Sequence, residues 1–476
     1  MKITNFGGNI TFEPRYFYTP KNEGEVLDIL NKHAHGRIRV AASGHSWSDV
    51  AKSDDVTIDM RHMNSVEIEE KENGDVYATS GAGCVLQRLL DILHKKTNCT
   101  LGTLGVIKRQ TISGVVSTGT HGSGRSSISH YMDVIRIAAY GSDGRAKIYE
   151  FDAGRELMAA RCALGCMGVI LSVKFKCVPK YYVAQNTVYK KSLDEILAQK
   201  DKYDLGQFIL VPYSWKYYAY QRYVARGVPE GLMDRLWARW IRIYNLLGVD
   251  IALHAFLKVM IAFTSSRRGV SNYIKWFYRV LLPVSMGNSS IVTDFCENSL
   301  TMHHDFFRHL EMEIFVPERN IQKAMKMARH ITSVFAGSPE TMVEEEEELE
   351  RCGKLEELMS HKGFYTHHYP IFCRQVLPDD TLISMTAEAG ERYFSVSFFT
   401  YLASDKRERF YEFAEFLAKC MAELYDARLH WGKYFPLKHE EIKRLYPNLE
   451  EFRQICDKVD PEGVFRNEYT TRVLGF

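Results

Sequence analysis

Thr111-Ile-Ser-Gly-Val-Val-Ser-Thr-Gly-Thr-His-Gly-Ser-Gly124 is the stretch on which the fold turns, and Val40-Ala-Ala-Ser-Gly-His-Ser-Trp-Ser48 is its companion. Each is a loop of Gly, Ser and Thr carrying one histidine. Each lies beside an apolar, strand-like run, Ile38 to Ala42 at the earlier loop and Val134 to Ala139 after the later one. Glycine lets the backbone approach a bulky anion and reach positive φ, while clustered N–H and hydroxyl groups donate to pyrophosphate oxygens. Neither loop is a G-x-G-x-x-G turn opening a helix. Two such loops, about 70 residues apart, can cradle one long dinucleotide; two tight turns of an α+β protein are the competing reading.

The chain has 476 residues, enough for two or three domains with real cores. With 46% hydrophobic and 25% charged residues and a net charge of +2, it supplies no basic field for a nucleic acid. Ten cysteines in so long a chain are too sparse for a disulfide framework, and none form C-x-x-C pairs. Cys162 and Cys166 lie beside glycines and read as close packing, so no metal site is expected. The opening Met1-Lys-Ile-Thr-Asn-Phe-Gly-Gly8 lacks the apolar centre of a secretory signal. No run reaches the roughly 18 uninterrupted apolar residues of a membrane span. A reduced, cytoplasmic setting is the expectation.

Along residues 1–180, short apolar runs alternate with Gly, Asn and Asp. Val56 to Met60, Val76 to Ser80, Val134 to Tyr140 and Val169 to Val178 read as strands; Glu23 to Lys32 and Val85 to His94 have helical spacing. That interleaving predicts an α+β domain. Leu164-Gly-Cys-Met-Gly-Val-Ile170 is a third glycine-rich turn feeding a strand. Residues 181–415 form a second region, interrupted by a helical block at 229–283. In that block Trp237, Trp240, Trp276, Phe277 and Tyr278 sit among Arg235, Arg239, Arg242, Lys258, Arg267, Arg268, Lys275 and Arg279. Basic-aromatic helices of this kind lie in a bilayer interface, or pack as core helices with snorkelling arginines. The acidic run Glu344 to Glu348 reads as a solvated face. Residues 416–476 form a largely helical tail containing His430-Trp-Gly-Lys433.

Ser43-Gly-His-Ser46, Ser117-Thr-Gly-Thr-His-Gly-Ser-Gly124, Glu311-Met-Glu313 and His430-Trp-Gly-Lys433 occur in this order. Together they resemble the sugar-1,4-lactone and alditol oxidases of the vanillyl-alcohol-oxidase type, among them L-gulonolactone and D-arabinono-1,4-lactone oxidase. The resemblance implies a two-subdomain FAD-binding domain of the vanillyl-alcohol-oxidase (PCMH) type at 1–180. It further implies an α+β substrate (cap) domain at 181–415, with a tail that returns to the flavin. It implies that His45 joins the 8α-methyl carbon of FAD covalently, a role open to a neutral imidazole near pH 7. By the same resemblance Ala42, Ser43, Gly44, Ser46, Ser48, Ser117, Thr118, Gly119, Thr120, Gly122 and Gly124 hold the cofactor. Gly168, Val169 and Ile170 meet its adenine end, His430 and Lys433 approach the flavin, and His121 is positional.

The implied reaction oxidises a CH–OH group of a sugar-1,4-lactone or alditol by hydride transfer to flavin N5, with O2 or another acceptor restoring the cofactor. Lys433 and Arg374 match the family's catalytic cations. The family's strand carries Glu-x-Arg, whereas this chain has Phe372-Cys-Arg374. Losing that carboxylate from a polyol pocket costs about 2–4 kcal/mol of transition-state binding. His367, His368 or Glu313 would then have to serve as base. Phe372 and the apolar block raise a second reading, an apolar or lipid-linked alcohol oxidised at a membrane surface. A third is a flavin-fold binding protein without catalysis.

Overall fold

The computed structural model of the chain describes all residues except 228–230, 265–270, 283–288, 303–307, 339–341 and 389. Arg267 and Arg268 of the basic-aromatic block therefore lie outside the described residues.

Two sheets build the N-terminal part. A three-stranded parallel sheet joins Tyr16–Tyr18, Val56–Asp59 and Ile38–Ala41, the last running directly into the first histidine loop. A five-stranded antiparallel sheet runs in the order Ala146–Phe151, Met132–Tyr140, Val169–Lys176, Val76–Gly81, Val66–Glu70. Between them packs the helix Glu23–Lys32. Asn22 caps it by accepting from the Glu25 N–H, acidic residues occupy its first turn, and Val26, Ile29 and Leu30 are its buried stripe.

The cap is an eight-stranded antiparallel sheet. Its order is Val292–Phe295, Tyr182–Lys190, Lys216–Val224, Gln207–Val211, Ile371–Val376, Tyr393–Thr400, Leu310–Pro317, Arg428–Leu429. The long helices Ile321–Phe335 and Glu408–Tyr425 cover one face, where Phe413 meets Phe398 at 5.8 Å and Cys373 faces Met325. Side chains alternate along a strand, so the residues between those points line the opposite face. There Glu313 stands across from Ser397, Ser397 from Phe372 and Ser395 from Arg374.

The tail closes the molecule in three places. Arg428–Leu429 extends the cap sheet beside Leu310–Pro317. The Trp47 N–H donates to the Gly432 carbonyl at 2.8 Å, and the Ile38 N–H to the Val464 carbonyl at 2.9 Å. The acidic run at 344–348 is helical, within Val343–Arg351.

In the helical block, Leu232–Tyr244 runs through a π-helical stretch, Asn245–Leu253, into His254–Thr264. His254, Leu257, Ile261, Ile274 and Tyr278 are buried, the apolar ones in a cluster with Ile209 and Tyr213 of the cap. Much of the rest faces outward: Met233 is 74% exposed, Trp240 58%, Tyr273 68% and Trp276 53%. The span Arg235–Ala262 is long and apolar enough to cross a bilayer, and only 20% of its most apolar window is buried.

Candidate active site

A continuous cavity of about 780 Å³ lies between the N-terminal sheets, the cap sheet and the tail. Ala42 to Ser46, Ser48, Ser117, Thr118, Thr120, His121, Gly168, Ile170, His430, Lys433 and Arg374 all line it. Small residues of the two loops and the Leu164–Ile170 turn form one end; the bare face of the cap sheet forms the other. This size, with hydroxyls and N–H groups at one end and cations at the other, fits an FAD.

Gly119, Gly122, Gly124 and Val169, also expected to hold the cofactor, stand beside or near residues of the cavity wall without lining it themselves. Gly122 and Gly124 also answer a packing demand. Gly124 has φ +71°, and a Cβ there would stand 1.6 Å from the Asp204 carbonyl oxygen. At Gly122 a Cβ would come within 2.6 Å of the Leu104 carbonyl oxygen. Gly122 thus lets the loop press on the N-terminal part and Gly124 on the cap, where the Gly124 N–H donates to Gln375 O at 2.7 Å. The Ser46 and Ser48 hydroxyls are likewise engaged with the tail, on the carbonyls of Gly432 and Trp431.

At the cap end the strand Leu310–Pro317 presents Glu311 and Glu313 from one face, two residues apart and both buried. Lys433 Nζ donates to Glu311 Oε2 and stands 4.3 Å from the Trp47 ring. Glu313 lies 3.3 Å from His121 Nε2, whose other nitrogen, Nδ1, donates to Gly122 O at 2.9 Å. Burial pulls both carboxyls upward. In Glu311 it prevails over Lys433, whereas the facing His121 holds Glu313 well below the usual carboxylate range. Burial also holds His430 well below the ordinary histidine range. Its Nδ1 accepts from the Gly432 N–H at 3.0 Å, so the proton of the neutral ring sits on Nε2. His121, Glu313 and His430 have the identities of a metal site, but that proton makes His430 Nε2 a donor and not a ligand.

Phe372 borders the same cavity, its ring 5.8 Å from Tyr369 and 6.0 Å from Phe399. Tyr401, His254, Ile243 and Leu246 extend that wall toward the helical block. Glu311, not named as a base from the sequence, is the carboxylate that Lys433 meets. Its signal was the spacing Glu311-Met-Glu313, which in a strand puts both acids on one face.

His367 and His368 do not reach the cavity. Both are buried behind Tyr369, where Nε2 of His368 accepts from the Tyr401 N–H at 3.1 Å. Burial pushes His368 down to about 4, against about 6.5 in an unfolded chain. The unfolded state therefore binds the extra proton between those values, and stability is lost as pH falls from about 6.5 through about 4, by roughly 3 kcal/mol. Urea midpoints at about pH 7.5 and about pH 4.5 should fall less steeply in His368→Gln than in the parent; equal slopes would remove this role.

The fold and cavity define a flavoenzyme, an FAD-dependent oxidoreductase acting on CH–OH donors. Residues 14–147 match the family model described as "FAD binding domain", and residues 173–473 match that of "D-arabinono-1,4-lactone oxidase". The chain belongs to the D-arabinono-1,4-lactone oxidase family. It is 38% identical over 472 residues to a long-chain alcohol oxidase of an uncultured marine euryarchaeote, covering 99% of this chain and 96% of that protein. Against the L-gulonolactone oxidase of Mus musculus it is 23% identical over 481 residues, covering 100% and 98%. The solved cholesterol oxidase from B. sterolicum shares the fold, with a TM-score of 0.71 at 14% identity, over 99% of this chain and 96% of that one.

Proposed function

We propose that this chain oxidises an alcohol whose carbinol sits at Glu311 and Lys433 and whose apolar part lies against Phe372. The observation that carries this is the aromatic wall of Phe372, Tyr369, Phe399 and Tyr401, standing where a polyol pocket needs a carboxylate. When bound, FAD supplies the hydride acceptor and is restored by O2 or another acceptor. The protein's part is to hold the carbinol, take its proton and balance charge. Lys433 occupies Oε2 of Glu311, and the carboxylate's remaining capacity receives the substrate's O–H proton. Arg374 and Lys433 supply positive charge where negative charge builds. The 38% identical long-chain alcohol oxidase agrees with this substrate class.

A sugar-1,4-lactone or alditol is the second reading. It is favoured by the family model and by Gln207 and Tyr220 farther along the cavity, which can hydrogen-bond hydroxyls. Phe372→Glu separates the two. It should lower kcat/KM for a long-chain primary alcohol by ~10²-fold while leaving or raising that for xylitol. An unchanged ratio between the two substrates would count against the apolar wall as the determinant.

His45 is proposed as a covalent tether for FAD. It lines the cavity, stacks on Phe6 at 5.1 Å between centroids, and has Nδ1 3.1 Å from Ser43 Oγ. Yellow colour that stays with acid-precipitated protein supports the tether.

The setting proposed is cytoplasmic and peripheral to a membrane. Trp237, Trp240, Tyr244 and Leu247 are exposed on a helix whose Ile243 and Leu246 line the cavity, and Arg235 and Arg239 are exposed beside them. The protein should float with vesicles containing anionic lipid, and the double variant Trp237→Ser, Trp240→Ser should lose ~10-fold in partitioning. Equal flotation of parent and variant would place the contact elsewhere.

A further inference from the structure

Past the carbinol site, the cavity continues along the cap sheet to Gln185, Gln207, Tyr220 and Arg222. Strand register fixes this row: Gln185 stands opposite Arg222, and Gln207 stands opposite both Tyr220 and Arg374. Directly opposed residues share a sheet face, so these side chains project to the same side.

The charges in this cavity do not cancel: at its loop end Lys52 and Arg39 add positive charge, Arg39 donating to the carbonyls of Val50 and Leu164. The cavity's carboxylates among the described residues, Glu311 and Glu313, are held by Lys433 and His121. Arg242, entering from the helix Leu232–Tyr244, is neutralised by Asp294. For Arg222 and Arg374 no carboxylate among the described residues lies within ion-pair distance. Arg222 has partners that orient it without neutralising it: Nε donates to Gln185 Oε1 at 2.9 Å, and the guanidinium stands 5.4 Å from the Tyr220 ring centroid. Burial, with Arg374 nearby, pushes this guanidinium down to about 10 although Tyr220 opposes the shift. A cation that faces a cavity is stabilised when an anion answers its charge there, and a guanidinium fork matches the two oxygens of a carboxylate or phosphate. Assigning Arg374 to the flavin still leaves Arg222 unanswered.

We propose that Arg222, oriented by Gln185 and backed by Arg374, forms a subsite for an anionic group on the substrate. The alcohol oxidised is then an amphiphile, with its apolar part at Phe372 and a carboxylate or phosphate at Arg222. This inference rests on the apolar-alcohol reading above and goes beyond it in assigning the substrate a charge.

The test uses FAD-loaded enzyme and four unreactive octyl compounds: octanoate, octyl phosphate, octanamide and octylammonium. Binding is followed by calorimetry and by perturbation of the flavin absorbance. Octanoate or octyl phosphate should bind at least ~10-fold more tightly than octanamide, with octylammonium weakest; the tighter anion identifies the group. Arg222→Gln should erase the preference of anion over amide, and Arg222→Lys should keep part of it. Equal binding of anion and amide by the parent overturns the proposal. So does an Arg222→Gln variant that weakens all four compounds alike or releases FAD, because the arginine would then serve the fold or the cofactor. If 1-octanol is oxidised while anions show no preference, only this inference falls. If no octyl compound binds and 1-octanol is not oxidised, the apolar-alcohol reading falls with it.

Discussion

Lys433→Met should lower kcat/KM toward every alcohol by ~10²–10³-fold while FAD stays bound. Lys433 is the cation that meets Glu311, it lies over Trp47, and it faces the cavity from the tail. Methionine keeps the length of the side chain and removes the charge. Two losses then coincide. Positive charge is absent where the reaction accumulates negative charge, and Glu311 becomes a buried carboxylate without its counter-ion. Burial already pushes Glu311 upward, so losing Lys433 pushes it further and leaves it protonated over more of the pH range. The flavin-loaded variant, compared with the parent in steady-state assays, should show the loss mainly in kcat. A change within about threefold would mean that the charge is supplied elsewhere.

Glu311→Gln carries the second large expectation, a fall in kcat of ~10²–10⁴-fold, because glutamine cannot take the carbinol proton. The pH profile tells this role from a merely structural one. Glu311 accepts a proton only when ionised, so the parent's rate should decline as pH falls through its raised pKa. The glutamine variant should lose that acid limb along with most of its rate. Retention of the limb at full amplitude would transfer the role to Glu313 or to a solvent path.

Much of this architecture is legible in the sequence because local chemistry and global fold agree. The two glycine-rich histidine loops line the cavity, and the His430-Trp-Gly-Lys433 turn reaches it from the far end of the chain. The spacing Glu311-Met-Glu313 announces two acids on one face, yet not which of them meets Lys433. That depends on strand register and on the tail, both long-range. The same limit explains His367 and His368: adjacent histidines in a candidate pocket segment look like bases, but the turn into the strand Ile371–Val376 buries them behind Tyr369. The resemblance assigns Gly122 and Gly124 to the cofactor, and glycine serves close approach to any partner. The protein's own backbone, at Leu104 and Asp204, is one such partner. Arg222 carried no local signal at all, since one arginine in a tyrosine-rich strand becomes notable only when its neighbours across the sheet lack a carboxylate.

The most direct measurement is an anaerobic titration of the flavin-loaded protein with a long-chain primary alcohol, followed by admission of air. The flavin absorbance should bleach in proportion to alcohol added and return on reoxidation, with Glu311→Gln bleaching far more slowly. Flavin that stays oxidised in the presence of alcohols, lactones and alditols alike would contradict a carbinol-oxidising site at Glu311 and Lys433.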